Sequence, residues 1–193
     1  MKRKLVVGVG DYSLDGIIGE MGSPFFMFCR SIPDDAEHAV WTAEVQQSAE
    51  VHIFGKNTYE GFASWFPNAT GDPTADILNK GRKVVFSSTL ERADWENTTI
   101  ARGDLVEEVE KLKAEGGGDI AAYGGISFLR SLVRANLVDE YRLTVYPYLV
   151  GSGATLFDVP ESRALELVSA VPFGNGVLGL TYRRASDAAE TQA

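Results

Sequence analysis

The sequence contains few of the side chains that form disulfides and zinc sites. Among its 193 residues there is one cysteine, Cys29, and there are two histidines, His38 and His52. A single cysteine excludes an intrachain disulfide and agrees with a reducing compartment. Zinc sites take most of their ligands from cysteine and histidine, so this set is too small for a zinc constellation. We therefore expect no metal site.

Long apolar runs are also missing. The first run ends at Asp11 after about half a dozen apolar residues, whereas the apolar core of a signal peptide has ~7 to 15. No run reaches the ~20 apolar residues of a membrane-spanning helix. These absences predict a cytoplasmic protein that has no membrane partner.

Positive charge is in deficit. The chain carries 18 Lys and Arg residues against 27 Asp and Glu residues, which gives a net charge of -9. Such a surface repels the phosphate backbone of nucleic acids, so a small molecule is the expected ligand. The composition, 45% hydrophobic and 23% charged, is that of one ordinary globular core. We expect a single domain over residues 1–185 and a disordered polar tail over 186–193.

The sequence does show an alternation of strand and helix patterns. Apolar, β-rich runs that predict strands occupy 4–10, 51–55, 82–88 and 119–123. Patterns that predict helices occupy 36–50, 56–66, 73–81, 103–118 and 126–137. Three strand patterns then follow without helices, at 138–150, 165–173 and 176–185. This order predicts an α/β fold with a mixed, mostly parallel sheet, helices on both faces and C-terminal antiparallel strands.

Small residues stand at three predicted strand ends. They are Gly55, Ser87, Ser88, Gly124 and Gly125. A helix N-terminus offers unpaired N–H groups, and glycine there lacks the Cβ that would obstruct a phosphate. For one junction alone, a tight turn is the plainer interpretation. Three junctions at one sheet edge, with Lys56 and Thr58 beside them, favour a dinucleotide site.

Four sequence blocks carry a pattern known from one family. They are "YSLDGIIG" at 12–19, "FGKNTYEGFASWFP" at 54–67, "KVVFSSTL" at 83–90, and the long block from "GGDIAAYGG" to "GSGATLF" at 117–157. Together they resemble the dihydrofolate reductase-like superfamily, most closely its branch shared with the reductase domain of bacterial riboflavin biosynthesis, the RibD C-terminal domain. The resemblance implies a three-layer dihydrofolate reductase-like sandwich with NADPH lying across the strand ends.

The same resemblance implies which residues would contact NADPH. Near the adenosine and pyrophosphate these are Gly55, Lys56, Asn57 and Thr58, with Ser87 and Ser88 beside the 2′-phosphate. Around the pyrophosphate they are Gly124, Gly125, Ile126, Ser127 and Phe128, and beside the nicotinamide they are Leu14, Asp15, Gly16 and Ile17. The aromatic segment 24–29 would either close over the nicotinamide ring or pack in the core.

The catalytic candidates are Asp15 and Glu37. Asp15 would position or polarise the substrate, although an Asp before Gly is also a common turn device. The family places a carboxylate on the helix before the second strand, where Glu37 is the nearest match, and the alternative role of Glu37 is that of a solvated first-turn acid. On the same helix, Trp41 would either stack on a substrate or pack in the core.

The implied function is an NADPH-dependent reductase of a small heterocyclic or ribosylamino substrate. Its reaction would resemble that of 5-amino-6-(5-phosphoribosylamino)uracil reductase or of a pterin or dihydrofolate reductase. The alternative is a catalytically silent NADP-binding sensor or partner protein. An exposed sheet edge also favours a homodimer.

Overall fold

Eight strands form one sheet in the computed structural model, which describes residues 2–185. The strands are β1 (Leu5–Ser13), β2 (Ala49–Gly55), β3 (Arg82–Phe86), β4 (Thr98–Ala101), β5 (Asp119–Tyr123), β6 (Glu140–Tyr146), β7 (Leu165–Pro172) and β8 (Leu178–Arg184). The helices are α1 (Pro24–Ser31), α2 (Ala36–Ser48), α3 (Lys56–Trp65), α4 (Pro73–Lys80), α5 (Leu105–Ala114) and α6 (Ile126–Arg134). A single 3-10 turn, Phe66–Asn68, follows α3.

The strand order across the sheet is β4-β3-β2-β5-β1-β6-β8-β7. The six strands from β4 to β6 are parallel to their neighbours. Strand β8 is antiparallel to both β6 and β7. This arrangement confirms the predicted α/β class, with a mostly parallel sheet and antiparallel C-terminal strands.

Helices cover both faces of the sheet, which gives three layers. The larger core lies between the sheet and helices α5 and α6, and it includes Val7, Ile53, Val109 and Leu132. On the other face, α1 and α2 enclose a cluster that contains Phe25 and Trp41, and α3 and α4 enclose one that contains Phe54 and Leu78. Each fully buried large apolar side chain contributes about 1.5–3 kcal/mol relative to exposure.

The helix starts fall into two groups. In the described residues 2–185, four α-helices have a side chain that caps the N-terminus, and the caps are Ser23, Asp35, Asp72 and Asp104. Helices α3 and α6 begin at Gly55 and Gly125, neither of which offers a side-chain cap. A cap contributes about 1 kcal/mol, so two helices lack a contribution that the other four have.

Two elements escaped sequence analysis, and one strand is longer than expected. Segment 24–29 lies in α1, where Ser23 is the N-cap and Pro24 the first helical residue. Aromatic side chains disfavour helix formation, and eight residues are too few to show its period. The mixed segment Thr98–Ala101 forms β4 at the edge of the sheet. Strand β1 continues beyond residue 10 to Ser13.

The structure bears on several expected absences. In residues 2–185, no helix combines the length and apolar character needed to cross a lipid bilayer. Over the same range, no three His, Cys, Asp or Glu side chains converge as metal ligands. The tail predicted to be disordered, 186–193, lies outside the described residues.

Candidate active site

The small residues of the three junctions lie at one edge of the sheet. Strand β2 is the parallel neighbour of both β3 and β5, so the carboxyl ends of the three strands point the same way. Gly55 ends β2, Ser87 follows β3, and Gly124 follows β5. Open α/β sheets bind ligands at this edge.

Helices α3 and α6 begin side by side because glycine permits a close approach. The Gly125 N–H donates to Thr58 Oγ1 at 2.7 Å. Gly124 has φ +144, and a Cβ there would lie 3.1 Å from Thr58 Oγ1. A Cβ on Gly55 would come within 2.9 Å of Phe128 Cβ. These glycines therefore bring two helix N-termini together as well as removing side chains from the sheet edge.

The helix starts at this edge present free N–H groups. Neither α3 nor α6 has a side-chain cap. Within residues 2–185, the N–H groups of Ile126 and Ser127, at the first turn of α6, have no acceptor. Asn57, Gly125 and Ser127 are exposed. Two adjacent helix N-termini with open N–H groups match the requirements of a pyrophosphate.

Two cations flank the loop that follows β3. Lys56 Nζ donates to Thr89 Oγ1 at 3.3 Å. Arg102 donates to the Leu90 carbonyl at 2.6 Å and to the Ser88 carbonyl at 3.4 Å. The Ser87 hydroxyl accepts from the Leu90 N–H at 2.9 Å, so this hydroxyl shapes the loop. Sequence analysis missed Arg102 because it directly follows β4, which was itself unrecognised.

Asp15 ties the segment Leu14–Ile17 to a second loop. Its carboxylate accepts from Ser13 Oγ at 2.5 Å, from Gly151 N–H at 2.7 Å and from Val150 N–H at 3.1 Å. The Ser13 hydroxyl and these backbone N–H groups lower the pKa of Asp15 to about 2. A carboxylate held this way is a poor proton donor at neutral pH, so the contacts favour the turn role.

The remaining loop residues lie close to the same two segments. The Leu14 N–H donates to the Tyr148 carbonyl at 3.0 Å, and the Ile17 N–H donates to Ser13 Oγ at 2.9 Å. The side chain of Leu14 is 66% exposed, whereas Ile17 is buried. Leu14 therefore offers an apolar surface at the end of β1 for a ligand ring.

Glu37 and Trp41 lie toward the antiparallel end of the sheet. Trp41 is buried, with its ring 4.3 Å from the Arg142 guanidinium and 5.9 Å from the Phe173 ring. Glu37 is exposed in the first turn of α2. Both line a shallow groove of about 350 Å³ together with Val171 of β7. These contacts favour the packing role for Trp41 and the solvated role for Glu37, and the substrate and catalytic roles stay predictions.

Strand β1 carries an open patch in the middle of the sheet. Gly8 and Gly10 are both exposed, although β1 has a neighbour on each side. A Cβ on Gly8 would touch Val45 of α2 at 3.7 Å, whereas a Cβ on Gly10 would meet nothing within 4 Å. We call this space the β1 cleft, with Gly8 and Gly10 as its floor.

The β1 cleft is bordered by an ion pair. Arg30 of α1 donates through Nη2 to both carboxylate oxygens of Asp11, at 2.6 and 2.8 Å. The Asp11 side chain is 14% exposed and that of Arg30 is 55% exposed. In the sequence, Asp11 marks only the end of an apolar run, and no local pattern connects it with Arg30.

Comparison with known proteins places the chain in a family. The model of the RibD C-terminal domain matches residues 11–179. YyaP of Bacillus subtilis (strain 168), an uncharacterised protein, is 33% identical over 137 residues, which cover 67% of this chain and 71% of YyaP. The match to the family model spans every junction described above. The chain belongs to the RibD C-terminal domain family.

Solved structures agree with the RibD C-terminal assignment at the level of the fold. A protein of Shewanella sp. PV-4 provisionally assigned to riboflavin biosynthesis is 20% identical, with a TM-score of 0.73 over 96% of this chain and 100% of its own. The dihydrofolate reductase of Enterococcus faecalis, solved with NADP(H), is 16% identical, with a TM-score of 0.61 over 96% of this chain and 100% of its own. This RibD C-terminal-like chain therefore has the predicted dihydrofolate reductase-like fold.

Proposed function

We propose that the protein is an NADPH-dependent reductase that delivers a hydride to a C=N or C=O group of a small heterocyclic or ribosylamino compound. The observation that carries the proposal is the pair of uncapped helix N-termini, α3 and α6, joined through Thr58 and Gly125 at the edge where parallel strands end. Membership of a reductase-like family supports the same conclusion.

In this proposal NADPH supplies the hydride, and residues of the chain bind and orient the NADPH molecule. The open N–H groups of Ile126 and Ser127 would bind the pyrophosphate. Lys56 and Arg102 would meet the 2′-phosphate beside the loop that starts at Ser87. Because the whole chain has a net charge of -9, attraction of the cofactor depends on these local groups.

The substrate in this proposal enters the β1 cleft. Gly8 and Gly10 leave the floor free of side chains, which suits a flat ring lying against the strand. The nicotinamide would approach from the end of β1, beside Leu14. Val45 on one side and the aromatic cluster under α1 on the other would exclude water from the reacting atoms.

A cofactor titration tests the first half of the proposal. NADPH fluorescence is followed as wild-type protein is added, and the experiment is repeated with Gly125→Asp. The new carboxylate would sit at the pyrophosphate, so we expect a loss of about 2 kcal/mol, or roughly 30-fold in Kd. Gly125 has negative φ, and a Cβ there meets only Thr58 Oγ1 at 3.9 Å, so the variant should fold.

A matched control for this titration is Gly61→Asp. Gly61 is exposed in the middle of α3, and a Cβ there meets nothing within 4 Å. It adds the same charge to the same chain away from the helix starts. We expect wild-type Kd for this variant. Absence of NADPH binding at millimolar cofactor, or an equal loss in both variants, would contradict the cofactor site.

Turnover is tested with 5-amino-6-(5-phosphoribosylamino)uracil and with 7,8-dihydrofolate. Loss of NADPH absorbance in the presence of either acceptor supports the reductase.

The second candidate function, a catalytically silent sensor, is favoured by the way that Asp15 is bound within its loop and Glu37 lies toward β7. NADPH binding without oxidation by either acceptor would support that alternative.

We also propose that two copies of the chain associate through strand β7. This strand is the last in the sheet. It exposes Leu165, Leu167 and Val168, which are 39%, 57% and 51% accessible. An edge strand with apolar side chains is a favourable surface for a second copy of the same chain.

A further inference from the structure

Each hydride delivered to a C=N or C=O carbon leaves a nitrogen or oxygen that needs one proton. The inference that follows rests on the proposed reductase function. Asp15 is fully engaged by donors that keep it ionised. Glu37 is exposed in a groove that it shares with Val171 of β7. A protein group that supplies this proton must therefore be another one, and the candidates are those that border the β1 cleft.

A bulge in β1 brings such a group to the cleft. Val9 pairs with Leu143, and Tyr12 pairs with Val145. Between these two pairs β1 therefore contains one residue more than β6. Val9 and Tyr12 both point into the core beneath α5 and α6. The extra residue therefore places Gly10 and Asp11 on the opposite face, and bulges commonly redirect side chains beside active sites.

Contacts with α1 agree with this direction of the Asp11 side chain. Arg30 binds both carboxylate oxygens of Asp11, and its guanidinium carbon lies over the Phe26 ring, 4.8 Å from the ring centroid. Gly19 lies on the other side of Asp11, where an added Cβ would come within 3.0 Å of Asp11 Cβ. The carboxyl group is therefore held in one place next to Gly10, the open end of the cleft floor.

The groups that face Asp11 make it the most suitable acid at this end of the sheet. They are Arg30 and Cys29 of α1 and Tyr146 of β6. Burial raises the pKa of Asp11, and the opposing effect of Arg30 is smaller. Burial and the nearby Asp11 charge raise the pKa values of Cys29 and Tyr146 to about 12. Those two groups hold their protons too tightly to donate at neutral pH.

We propose that Asp11 is the catalytic acid of the reductase, placed at the β1 cleft by the bulge between Val9 and Tyr12 and held there by Arg30. In the reaction, the hydride forms a new C–H bond at the substrate carbon, and the π electrons of the C=N or C=O group move to nitrogen or oxygen. That atom takes the proton of the Asp11 carboxyl group. Asp11 is left as a carboxylate, which Arg30 stabilises, and solvent returns the proton.

A pair of acceptors separates proton donation from hydride transfer. The probes are 3,4-dihydroisoquinoline, a flat neutral imine, and its N-methyl iminium cation. The neutral imine needs a proton on nitrogen, whereas the cation needs only the hydride. For Asp11→Asn we expect kcat to fall by about 100-fold or more with the neutral imine and by less than about threefold with the cation.

The control for the loss of one carboxylate is Asp34→Asn. Asp34 is exposed between α1 and α2 and should leave both rates unchanged. Wild-type turnover of the neutral imine by Asp11→Asn would overturn the inference. Equal losses with both acceptors would also overturn it, because they would mean that Asp11 only maintains the structure.

Titration of Asp11 provides a test that needs no substrate. The carboxyl carbons of 13C-labelled full-length protein are followed by NMR from pH 3 to 8, with Asp11→Asn used to assign the signal. We expect a midpoint above the usual value of 3.8, and a further rise in Arg30→Met. A midpoint at or below 3.8 would overturn the inference.

Failure of the reductase proposal would look different from failure of this inference. In the first case, wild-type protein would oxidise no NADPH with any acceptor. In the second, NADPH oxidation with the neutral imine would survive Asp11→Asn. NADPH fluorescence should give the same Kd for wild type and Asp11→Asn, because Asp11 lies on β1, whereas the helix starts that would bind the pyrophosphate follow β2 and β5.

Discussion

Thr58 of α3 accepts the hydrogen bond of the Gly125 N–H at 2.7 Å, and this single contact links the starts of two helices. The two residues are 67 positions apart in the chain. Because the Thr58 hydroxyl satisfies one N–H of α6 from outside, the next two N–H groups remain available to a ligand. The geometry of the proposed cofactor site therefore depends on one hydroxyl.

Replacing Thr58 by Val removes that hydroxyl with little change in shape. We expect unfolding to become easier by about 1 kcal/mol, because the Gly125 N–H loses its acceptor. NADPH Kd should rise several-fold as the two helix starts lose their alignment. Thr58→Ser is the control, and it should behave like wild type in both thermal unfolding and fluorescence titration. An unchanged Kd in Thr58→Val would contradict a role for this contact.

The cations beside the loop after β3 should determine the preference between NADPH and NADH. In Lys56→Gln and Arg102→Gln we expect the Kd for NADPH to rise about 5- to 30-fold, because each substitution removes a positive charge that would bind the 2′-phosphate. NADH Kd should change by less than about twofold. Arg82→Gln, which removes an exposed cation at the start of β3, is the control. Equal weakening of both cofactors would mean that neither cation meets the 2′-phosphate.

His52 should make the fold sensitive to acid. It is fully buried, its Nδ1 lies 3.1 Å from the Tyr123 hydroxyl, and burial lowers its pKa to about 4. Between its usual pKa of 6.5 and about 4, the unfolded chain binds a proton there and the folded chain does not. The free energy of unfolding should therefore decrease by about 3 kcal/mol from this group as pH falls through that window.

Urea unfolding at pH 7, 6, 5 and 4 measures this effect. The comparison is with His52→Leu, which has nothing to protonate at this position. We expect the variant to lose less stability than wild type between pH 7 and pH 4, whatever its stability at pH 7. Parallel pH profiles for the two proteins would show that His52 does not contribute to the acid sensitivity.

Lys83 should stabilise the end of α4 from inside the protein. It is fully buried, and its Nζ donates to the Leu78 carbonyl at 2.7 Å and to the Gly81 carbonyl at 2.8 Å. Lys83→Met leaves both acceptors without this donor, so we expect a loss of about 2–3 kcal/mol in chemical denaturation. Lys80→Met changes an exposed lysine of the same helix and should cost less than about 0.5 kcal/mol. Equal stability of the two variants would contradict this role.

The proposed association through β7 predicts a change in mass. Wild-type protein should sediment as a dimer at micromolar concentration. Leu167→Lys places a charge on the apolar edge and should give monomers. Val106→Lys puts the same charge on an exposed apolar position of α5 and should leave the dimer intact. Sedimentation of the wild-type protein as a monomer would contradict the proposed association through β7.

The parts of the structure that depend on local pattern were predictable from sequence. Strands with continuous apolar runs, such as the one that ends at Gly55, were found because burial on both faces of a parallel sheet leaves that pattern. The glycine pair before α6 was recognisable because ordered glycine needs a structural reason. Where the chain lacks a local pattern, as in α1 with its aromatic residues, sequence analysis found no element.

Features that depend on pairing between distant segments were out of reach. The bulge that turns Asp11 toward the cleft exists only because β1 is paired with β6, whose register comes from far along the chain. The Asp11–Arg30 pair needs that bulge and the docking of α1 together. Arg102 and Lys56 are brought to the loop after β3 by the parallel pairing of β3 with β4 on one side and with β2 on the other. No residue spacing in the sequence predicts any of these contacts.

The missing caps on α3 and α6 imply an evolutionary compromise between robustness and recognition. A variant with Asp or Ser in place of Gly125, where an added Cβ has room, would supply its own acceptor, and the protein without ligand would gain thermal stability. The same acceptor would then occupy the position of the proposed pyrophosphate. Selection for thermal stability alone would therefore remove the capacity of these helix starts to bind an anion.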